Sequence, residues 1–190
     1  FNFVYEANIR YLHHLGEVTY FSPLADTSLP DAGFVYLPGG YPELYLAALS
    51  ANRQMLQSIR RYVESGGKLL AECGGMMYLC DEIRDKNGYV YPMAGVLHQS
   101  ATMENMKLRL GYRTLLYNET RLKGHEFHYS RLVEQQNPLP SCAVAYTAKG
   151  VETDTPLYHY KNVWAGYTHL YWADPVGNEW FTKFVIDGNT

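Results

Sequence analysis

The chain has 190 residues, of which 47% are hydrophobic and 18% charged, and its formal net charge is −3. This length and composition are typical of one folded domain, and they exclude a disordered chain, a collagen-like repeat and a coiled coil. The near-neutral charge argues against a nucleic-acid or membrane-surface binder. No apolar run is long enough for a transmembrane helix, and three cysteines do not suggest a disulfide framework.

The first part of the chain alternates short apolar runs with helical patterns. Apolar runs predict strands at residues 1–5, 18–21 and 34–37, and the helical pattern between the first two spans residues 7–15. The third strand stops at Pro38-Gly39-Gly40. Pro42 then occupies a position that favours the first turn of a helix.

A second helical pattern leads into the most informative part of the sequence. Its apolar face is formed by Met55, Leu56, Ile59, Tyr62 and Val63, and Gly66-Gly67 marks its end. The apolar run at 69–71 predicts a buried strand that leads into Cys73, and residues 74–83 are predicted to be helical.

Strands that are apolar on both faces and separated by helices indicate a parallel sheet covered on both sides. The predicted fold class is therefore α/β, doubly wound. Reactive groups in such sheets collect beyond the carboxyl ends of the strands. Gly39-Gly40 and Cys73 both lie at such ends, so we expect them to face each other.

The second half of the chain has a different pattern. From about residue 89 to residue 171, alternating residues and regular turn signals are typical of antiparallel strands. Residues 178–186 carry aromatic side chains at helical spacing. No linker divides the chain, so we predict a single domain over residues 1–190.

Cys73 is the strongest candidate for a catalytic residue. It lies in Ala71-Glu72-Cys73-Gly74-Gly75, between a buried strand and a helix, which is the setting of a nucleophile elbow. We expect the helix N-terminus to lower the pKa of its thiol, the glycines to leave room for substrate, and the Gly74 N–H to donate to an oxyanion. The alternative is an inert core cysteine. Cys80 and Cys142 lack this setting, and no metal site is predicted.

A cysteine nucleophile needs a general base, and the chain has seven histidines. They are His13, His14, His98, His125, His128, His159 and His169. His125 and His128 flank Glu126 on a predicted strand, where an offset of three places them on opposite faces. Spacing alone does not choose the base, so the residue patterns indicate a cysteine-dependent acyl-transfer enzyme and no more.

Four segments, taken together and in order, resemble one family. They are Leu37-Pro38-Gly39-Gly40-Tyr41-Pro42-Glu43-Leu44, Ala71-Glu72-Cys73-Gly74-Gly75-Met76-Met77-Tyr78-Leu79, Gly124-His125-Glu126-Phe127-His128-Tyr129 and His169-Leu170-Tyr171. The chain is similar, almost end to end, to the C-terminal glutamine amidotransferase domain of cobyrinic acid a,c-diamide synthase. The resemblance implies a class I glutamine amidotransferase-like, flavodoxin-like fold with a mostly parallel sheet and an antiparallel extension.

The resemblance also implies roles for individual residues. Cys73 would attack the side-chain amide of glutamine to give a glutamyl thioester and ammonia. His169 matches the family's catalytic histidine, which takes the thiol proton and passes a proton to the departing ammonia. The backbone N–H groups of Gly40 and Gly74 would form the oxyanion hole.

Two departures from the wider class affect the site. Most class I amidotransferases carry a glutamate two residues after the histidine, whereas this chain has Tyr171. What orients His169 is therefore open, with Glu126 as a candidate. Glu126 and Tyr41 are the possible supporting or substrate-binding residues. Glu72 stands where many relatives have glycine, as in the cobyrinate subgroup.

The family's partners and cofactors lie largely outside this stretch of sequence. The resemblance implies L-glutamine as substrate and no cofactor or metal for this domain. In the family, an N-terminal synthetase domain of the same polypeptide uses ATP and Mg to activate carboxylates a and c of a corrinoid, in cobalamin biosynthesis. The chain begins at Phe1 and has no P-loop, so we expect the C-terminal part of a longer two-domain synthetase. The sparse cysteines favour the cytoplasm.

Two alternatives remain at the level of sequence. The same glutaminase chemistry serves other acceptors in related proteins, namely cobyric acid, a nickel sirohydrochlorin or a cell-wall precursor. A non-catalytic domain with the same fold is the second alternative. A mild basic bias in the middle of the chain is more typical of a solvated strand face than of a substrate surface.

Overall fold

The computed structural model of the protein describes residues 1–187. Its helices are α1 (Glu6–Leu15), α2 (Leu46–Ala51), α3 (Arg53–Glu64), α4 (Gly74–Leu79) and α5 (Pro175–Thr182), with a 3₁₀ turn at Pro42–Leu44 and a π-helical turn at Lys183–Asp187. Its strands are β1 (Phe34–Leu37), β2 (Lys68–Glu72), β3 (Glu82–Arg84), β4 (Val90–Pro92), β5 (Ser100–Thr102), β6 (Arg109–Tyr117), β7 (Thr120–His128), β8 (Arg131–Leu132), β9 (Val144–Thr147), β10 (Glu152–Thr153), β11 (Leu157–Tyr160), β12 (Val163–Gly166) and β13 (His169–Leu170).

The central sheet has the strand order β1-β2-β12-β11. β1 and β12 both run parallel to β2, and β11 closes the edge in the antiparallel direction. In this register Leu37 of β1 lies beside Ala71 of β2, so the two strands end side by side. That arrangement brings the segments after both strands to one edge of the sheet.

Apolar clusters cover the two faces of this sheet, as the continuous hydrophobic runs predict. One cluster joins Leu69 of β2 to the predicted apolar face of α3, where Met55, Ile59 and Val63 are buried. The other joins the neighbouring Leu70 to aromatic residues of α5 and to side chains of α1. The prediction of a doubly wound, mostly parallel α/β sheet is therefore confirmed.

The predicted antiparallel extension is also present. The nine-residue strands β6 and β7 form a hairpin at the centre of a sheet with the order β10-β9-β6-β7-β13. A small sheet, β4-β3-β5-β8, contains the remaining strands described here. Within residues 89–171, two strands depart from the antiparallel prediction: β12 joins the central sheet parallel to β2, and β5 pairs in parallel with β3.

Two of the predicted strands are wrong. Residues 1–5 contribute one isolated bridge, between Phe3 and Gly39, and residues 18–21 form no strand. Tyr20 in the second segment is 73% exposed, so this apolar run is not a buried strand. A hydrophobic pattern favours extended backbone, but a strand also needs a partner with free hydrogen-bonding groups.

Two predicted helices have different bounds in the structure. The helix after Cys73 ends at Leu79, and Ile83 lies in β3, because the backbone at Cys80 is already extended. The C-terminal helix α5 begins earlier than predicted, where Asp174 accepts a hydrogen bond from the Gly177 N–H at 2.8 Å. That capping bond supplies a partner for an N–H that the helix itself cannot satisfy.

Candidate active site

Cys73 lies at a sharp turn between β2 and α4. Its backbone has φ 49° and ψ −109°, a conformation that costs energy for a residue with a side chain. Its N–H donates to the Gly166 carbonyl of β12 at 2.8 Å, and its own carbonyl accepts from the Met77 N–H at 3.0 Å. The strand-to-helix turn predicted for a nucleophile elbow is therefore confirmed.

The glycines after Cys73 allow α4 to pack closely on the end of β1. A Cβ atom at Gly74 would lie 2.6 Å from the Gly40 carbonyl oxygen, and one at Gly75 would lie 2.1 Å from that of Leu37. These glycines make room for neighbouring backbone, whereas the sequence suggested that they make room for substrate. The same contact places Gly40 beside Gly74, so the two strand ends do face each other as predicted.

His169 is held on β13, next to the hairpin strand β7. His169 pairs with His125 in this register, and the two imidazole rings stack with centroids 4.9 Å apart. Asn8, a buried residue of α1, fixes the following segment: its Nδ2 donates to the Leu170 carbonyl at 2.7 Å, and its Oδ1 accepts from the Trp172 N–H at 2.9 Å. The imidazole is 1% exposed and lies against Gly39, where a Cβ atom would come within 2.1 Å of Cε1.

The candidate residues meet at one small cavity. Its volume is about 10 Å³, and its lining consists of Phe3, Gly40, Tyr41, Cys73, Phe127 and His169. A space of this size holds at most about one water molecule. The structure thus brings together four of the residues that the sequence singled out, and one of them, Tyr41, is 46% exposed.

Phe3 and Phe127 line this cavity but were not identified from the sequence. The Phe3 N–H donates to the Gly39 carbonyl at 3.0 Å, and its ring meets the His169 ring edge-on with centroids 4.8 Å apart. The Cys73 thiol points towards the Phe127 carbonyl, with Sγ 3.8 Å from the oxygen. The apolar run at residues 1–5 is a usable signal for Phe3, although its pattern predicts a strand and does not indicate a place at the cavity.

Burial sets the charge state of the two central side chains. It raises the pKa of the Cys73 thiol to about 12, although a hydrogen bond from the Gly74 backbone acts in the opposite direction. Burial, and then the neighbouring His125 and His128, lower the pKa of His169 to about 3. The expected lowering of the thiol pKa by the helix N-terminus is therefore wrong for this state, because desolvation outweighs it. Both side chains are neutral near pH 7.

Glu72, immediately before Cys73, is a buried carboxylate beside His169. It is 1% exposed, and its Oε2 lies 4.0 Å from Nδ1 of His169. The Tyr36 hydroxyl donates to Oε2 at 2.6 Å, and the Leu170 N–H donates to Oε1 at 3.0 Å. Burial raises the pKa of Glu72 to about 8, while both of these hydrogen bonds act to lower it.

Glu126 does not occupy the orienting position suggested for it. Its buried carboxylate lies 2.8 Å from the Arg113 guanidinium, with His128 Nε2 at 3.9 Å. Successive side chains of a strand point to opposite faces, so Glu126 points away from the face on which His125 stacks on His169. The predicted separation of His125 and His128 onto opposite faces follows the same alternation: His128 stacks on Tyr167 instead.

Two kinds of feature are absent from residues 1–187, the part of the chain that the structure describes. No three side chains of His, Cys, Asp and Glu are grouped as metal ligands would be. No helix in that part of the chain combines the length and the apolar character required to cross a bilayer.

The sequence matches a family model described as the CobB/CobQ-like glutamine amidotransferase domain over residues 1–176. The chain belongs to this family. The resemblance noted in the sequence motifs is thereby confirmed.

Curated relatives of this family member are larger proteins. Hydrogenobyrinate a,c-diamide synthase of Pseudomonas aeruginosa is 40% identical over 177 residues, which cover 90% of this chain and 39% of the relative. Cobyrinate a,c-diamide synthase of Fusobacterium nucleatum is 39% identical over 180 residues, which again cover 90% of this chain and 39% of the relative. The chain spans about two fifths of the length of these relatives.

Solved structures agree on the fold. A crystal structure of a glutamine amidotransferase matches with a TM-score of 0.59 and 17% identity, covering 94% of this chain and 92% of that one. The structure of PurLQS from Thermotoga maritima matches with a TM-score of 0.57 and 16% identity, covering 95% of this chain and 89% of that one. The predicted class I glutamine amidotransferase-like fold is confirmed by these likenesses, which concern the fold alone.

Proposed function

We propose that the domain hydrolyses L-glutamine to glutamate and ammonia, with Cys73 as nucleophile and His169 as general acid and base. The observation that carries the proposal is the shared cavity, at which the Cys73 elbow, His169 and the Gly40 backbone meet. A thiol, an imidazole and backbone N–H donors are the groups that acyl transfer from an amide requires.

The chemistry follows from these groups in two halves. His169 takes the Cys73 proton while the sulfur attacks the side-chain amide carbon of glutamine. The N–H groups of Gly40 and Gly74 stabilise the oxyanion, and removing one such donor costs about 10²–10³-fold in rate. The intermediate then expels ammonia with the proton held by His169. Water hydrolyses the remaining glutamyl thioester, which returns the thiol and releases glutamate.

Substrate entry requires the cavity to open. Glutamine is much larger than a space of about 10 Å³, so aromatic side chains at its border must move. Tyr41 is the border residue most open to solvent among those already named, and we assign it a role in admitting and contacting the substrate. An opened cavity also hydrates the thiol, which lowers the cost of forming a thiolate.

For the whole protein we propose amidation of the a and c carboxylates of cobyrinate or a related corrinoid, in cobalamin biosynthesis. The names of the relatives support this acceptor, and the chain spans about two fifths of their length. In this proposal a synthetase domain of the same polypeptide uses ATP and Mg and receives the ammonia, while the present domain works without a cofactor. The proposed location is the cytoplasm.

A glutamine-analogue alkylator tests the glutaminase proposal. Diazo-oxo-norleucine should add once to the folded protein, and peptide mapping should locate the adduct on Cys73. The matched variants Cys73→Ala and Cys142→Ala separate specific from general labelling: the first should abolish the adduct and the second should retain it. Intact-mass measurement that finds no adduct on the folded wild-type protein would refute the proposal.

A further inference from the structure

The position that carries a glutamate in most class I amidotransferases is filled here by a different kind of residue. Tyr171 stands two residues after His169, and its ring packs on that of Tyr5 with centroids 5.2 Å apart. The side chain of Tyr171 has no carboxylate to place beside the imidazole. Another group must therefore orient His169.

The carboxylate of Glu72 lies close enough to His169 to orient its imidazole ring. Its Oε2 lies 4.0 Å from Nδ1 of His169, and both side chains are almost completely buried. In a water-poor environment, a negative charge at this distance acts strongly on an imidazole that gains a proton. The sequence motif contributes to this placement, because Glu72 is the last residue of β2 and directly precedes Cys73.

Two hydrogen bonds hold the carboxylate in this orientation. Tyr36 on β1 donates to Oε2 at 2.6 Å, and the Leu170 N–H donates to Oε1 at 3.0 Å. Leu170 directly follows His169 on β13, so Glu72 also anchors the strand that carries the imidazole. One side chain thus connects the nucleophile strand to the histidine strand.

We propose that Glu72 is the positioning residue for His169: its carboxylate orients the Nδ1 edge of the ring, leaves Nε2 free for the Cys73 proton, and balances the imidazolium charge. The inference rests on the proposed glutaminase function and deepens it. The thiol proton moves from Cys73 Sγ to His169 Nε2 and later leaves with ammonia. Glu72 neither gains nor loses a proton in this sequence.

Several titratable groups face the Glu72–His169 pair from the surrounding elements. They are Tyr5 before α1, Tyr36 on β1, Cys73 at the start of α4, and His125 and His128 on β7. Burial has the largest effect on the pKa of His169, and neither of its ring nitrogens has a hydrogen-bond partner among the described residues. With the pKa of Glu72 at about 8, that of His169 at about 3 and that of Cys73 at about 12, Glu72 is the member of these three that changes charge near pH 8.

A pH profile of the full-length protein tests the proposal. The ionised carboxylate is the active form, so wild-type kcat should rise with pH around about 8. Glu72→Gln keeps the shape of the side chain and removes its charge, and it should lower kcat by about 10²-fold, flatten the profile and leave KM within a factor of about two. Glu43→Gln is the matched control, because Glu43 also acts on Cys73 electrostatically but should leave the rise in place.

A second readout does not depend on activity. In the wild-type protein, ¹⁵N NMR should find the proton of His169 on Nδ1, with a shift that titrates near pH 8 and loses that titration in Glu72→Gln. If the Gln variant fails to fold, Tyr36→Phe replaces it: loss of this hydrogen bond raises the pKa of Glu72 further, so the rise and the titration should move to higher pH.

The outcomes separate the two proposals. A wild-type protein that neither hydrolyses glutamine nor reacts with the analogue refutes the glutaminase function. An active wild-type protein whose pH profile and His169 titration are unchanged in the folded Glu72→Gln or Tyr36→Phe variant refutes the positioning role alone. A His169 that carries its proton on Nε2 also overturns that role.

Discussion

At the scale of single residues, Cys73 combines a strained backbone conformation with a protonated, unreactive thiol. The positive φ of the turn is a strain that the fold maintains, yet burial keeps the proton on sulfur. A cysteine that is a thiolate only when its site opens is protected from adventitious alkylation and oxidation. In the proposed mechanism, formation of the thiolate is therefore coupled to entry of the substrate.

Alkylation by iodoacetamide tests this resting state. With the thiol pKa raised to about 12, the thiolate fraction and the rate at Cys73 should increase about tenfold per pH unit from pH 6 to pH 9, without a plateau. Peptide mapping of the labelled wild-type protein gives the rate at this cysteine. A fast rate that stays constant down to about pH 5 would indicate a resting thiolate–imidazolium pair and contradict the account.

The close approach of Gly39 to His169 gives a second prediction at this scale. A methyl group at Gly39 would lie 2.1 Å from Cε1, so Gly39→Ala should displace the imidazole and lower glutaminase kcat by about 10²-fold or more. Gly33→Ala is the control, because nothing lies within 4 Å of a Cβ atom there. Equal kcat values for the two variants would show that His169 does not act from its observed position.

At the scale of elements, strong local patterns predicted the parts of the site that lie near each other in sequence. The strand before Cys73, the turn and the amphipathic face of α3 all follow from hydrophobic spacing and glycine positions. Residues 18–21 carry a comparable apolar pattern but form no strand, since pairing depends on partners elsewhere in the chain. The nearness of Glu72 to His169 and the role of Asn8 arise from strand order, which spacing does not reveal.

Asn8 provides a prediction about how α1 supports the site. Asn8→Ala removes both hydrogen bonds from α1 to the segment after His169, and it should lower the free energy of unfolding by about 2–4 kcal/mol and also lower glutaminase kcat. Asn52→Ala is the matched control, since Asn52 caps α3 and bonds the Pro23 and Asp26 carbonyls. Urea unfolding and steady-state kinetics should show a stability loss in both variants and a kcat loss in Asn8→Ala only. Loss of stability without loss of kcat in Asn8→Ala would contradict the supporting role.

At the scale of the whole molecule, the candidate site lies where the central sheet meets the antiparallel extension. Segments from distant parts of the chain meet at one small cavity. They are carried by β1 and β2 of the central sheet and by the paired strands β7 and β13 of the extension. The rest of the fold, with a covered parallel sheet and an antiparallel extension, holds those segments in place. The chain belongs to the CobB/CobQ-like family and spans about two fifths of the length of its curated relatives, and we propose that it serves a larger enzyme.

The most direct test of the central claim is the rate of glutamate formation from glutamine by the full-length protein and its variants. Cys73→Ala should reduce the rate to background, His169→Ala should reduce it by about 10²–10⁴-fold, and Cys142→Ala should leave it close to wild type. Circular dichroism should show that each variant is folded. Glutamate formation that persists at the wild-type rate in folded Cys73→Ala would contradict the account.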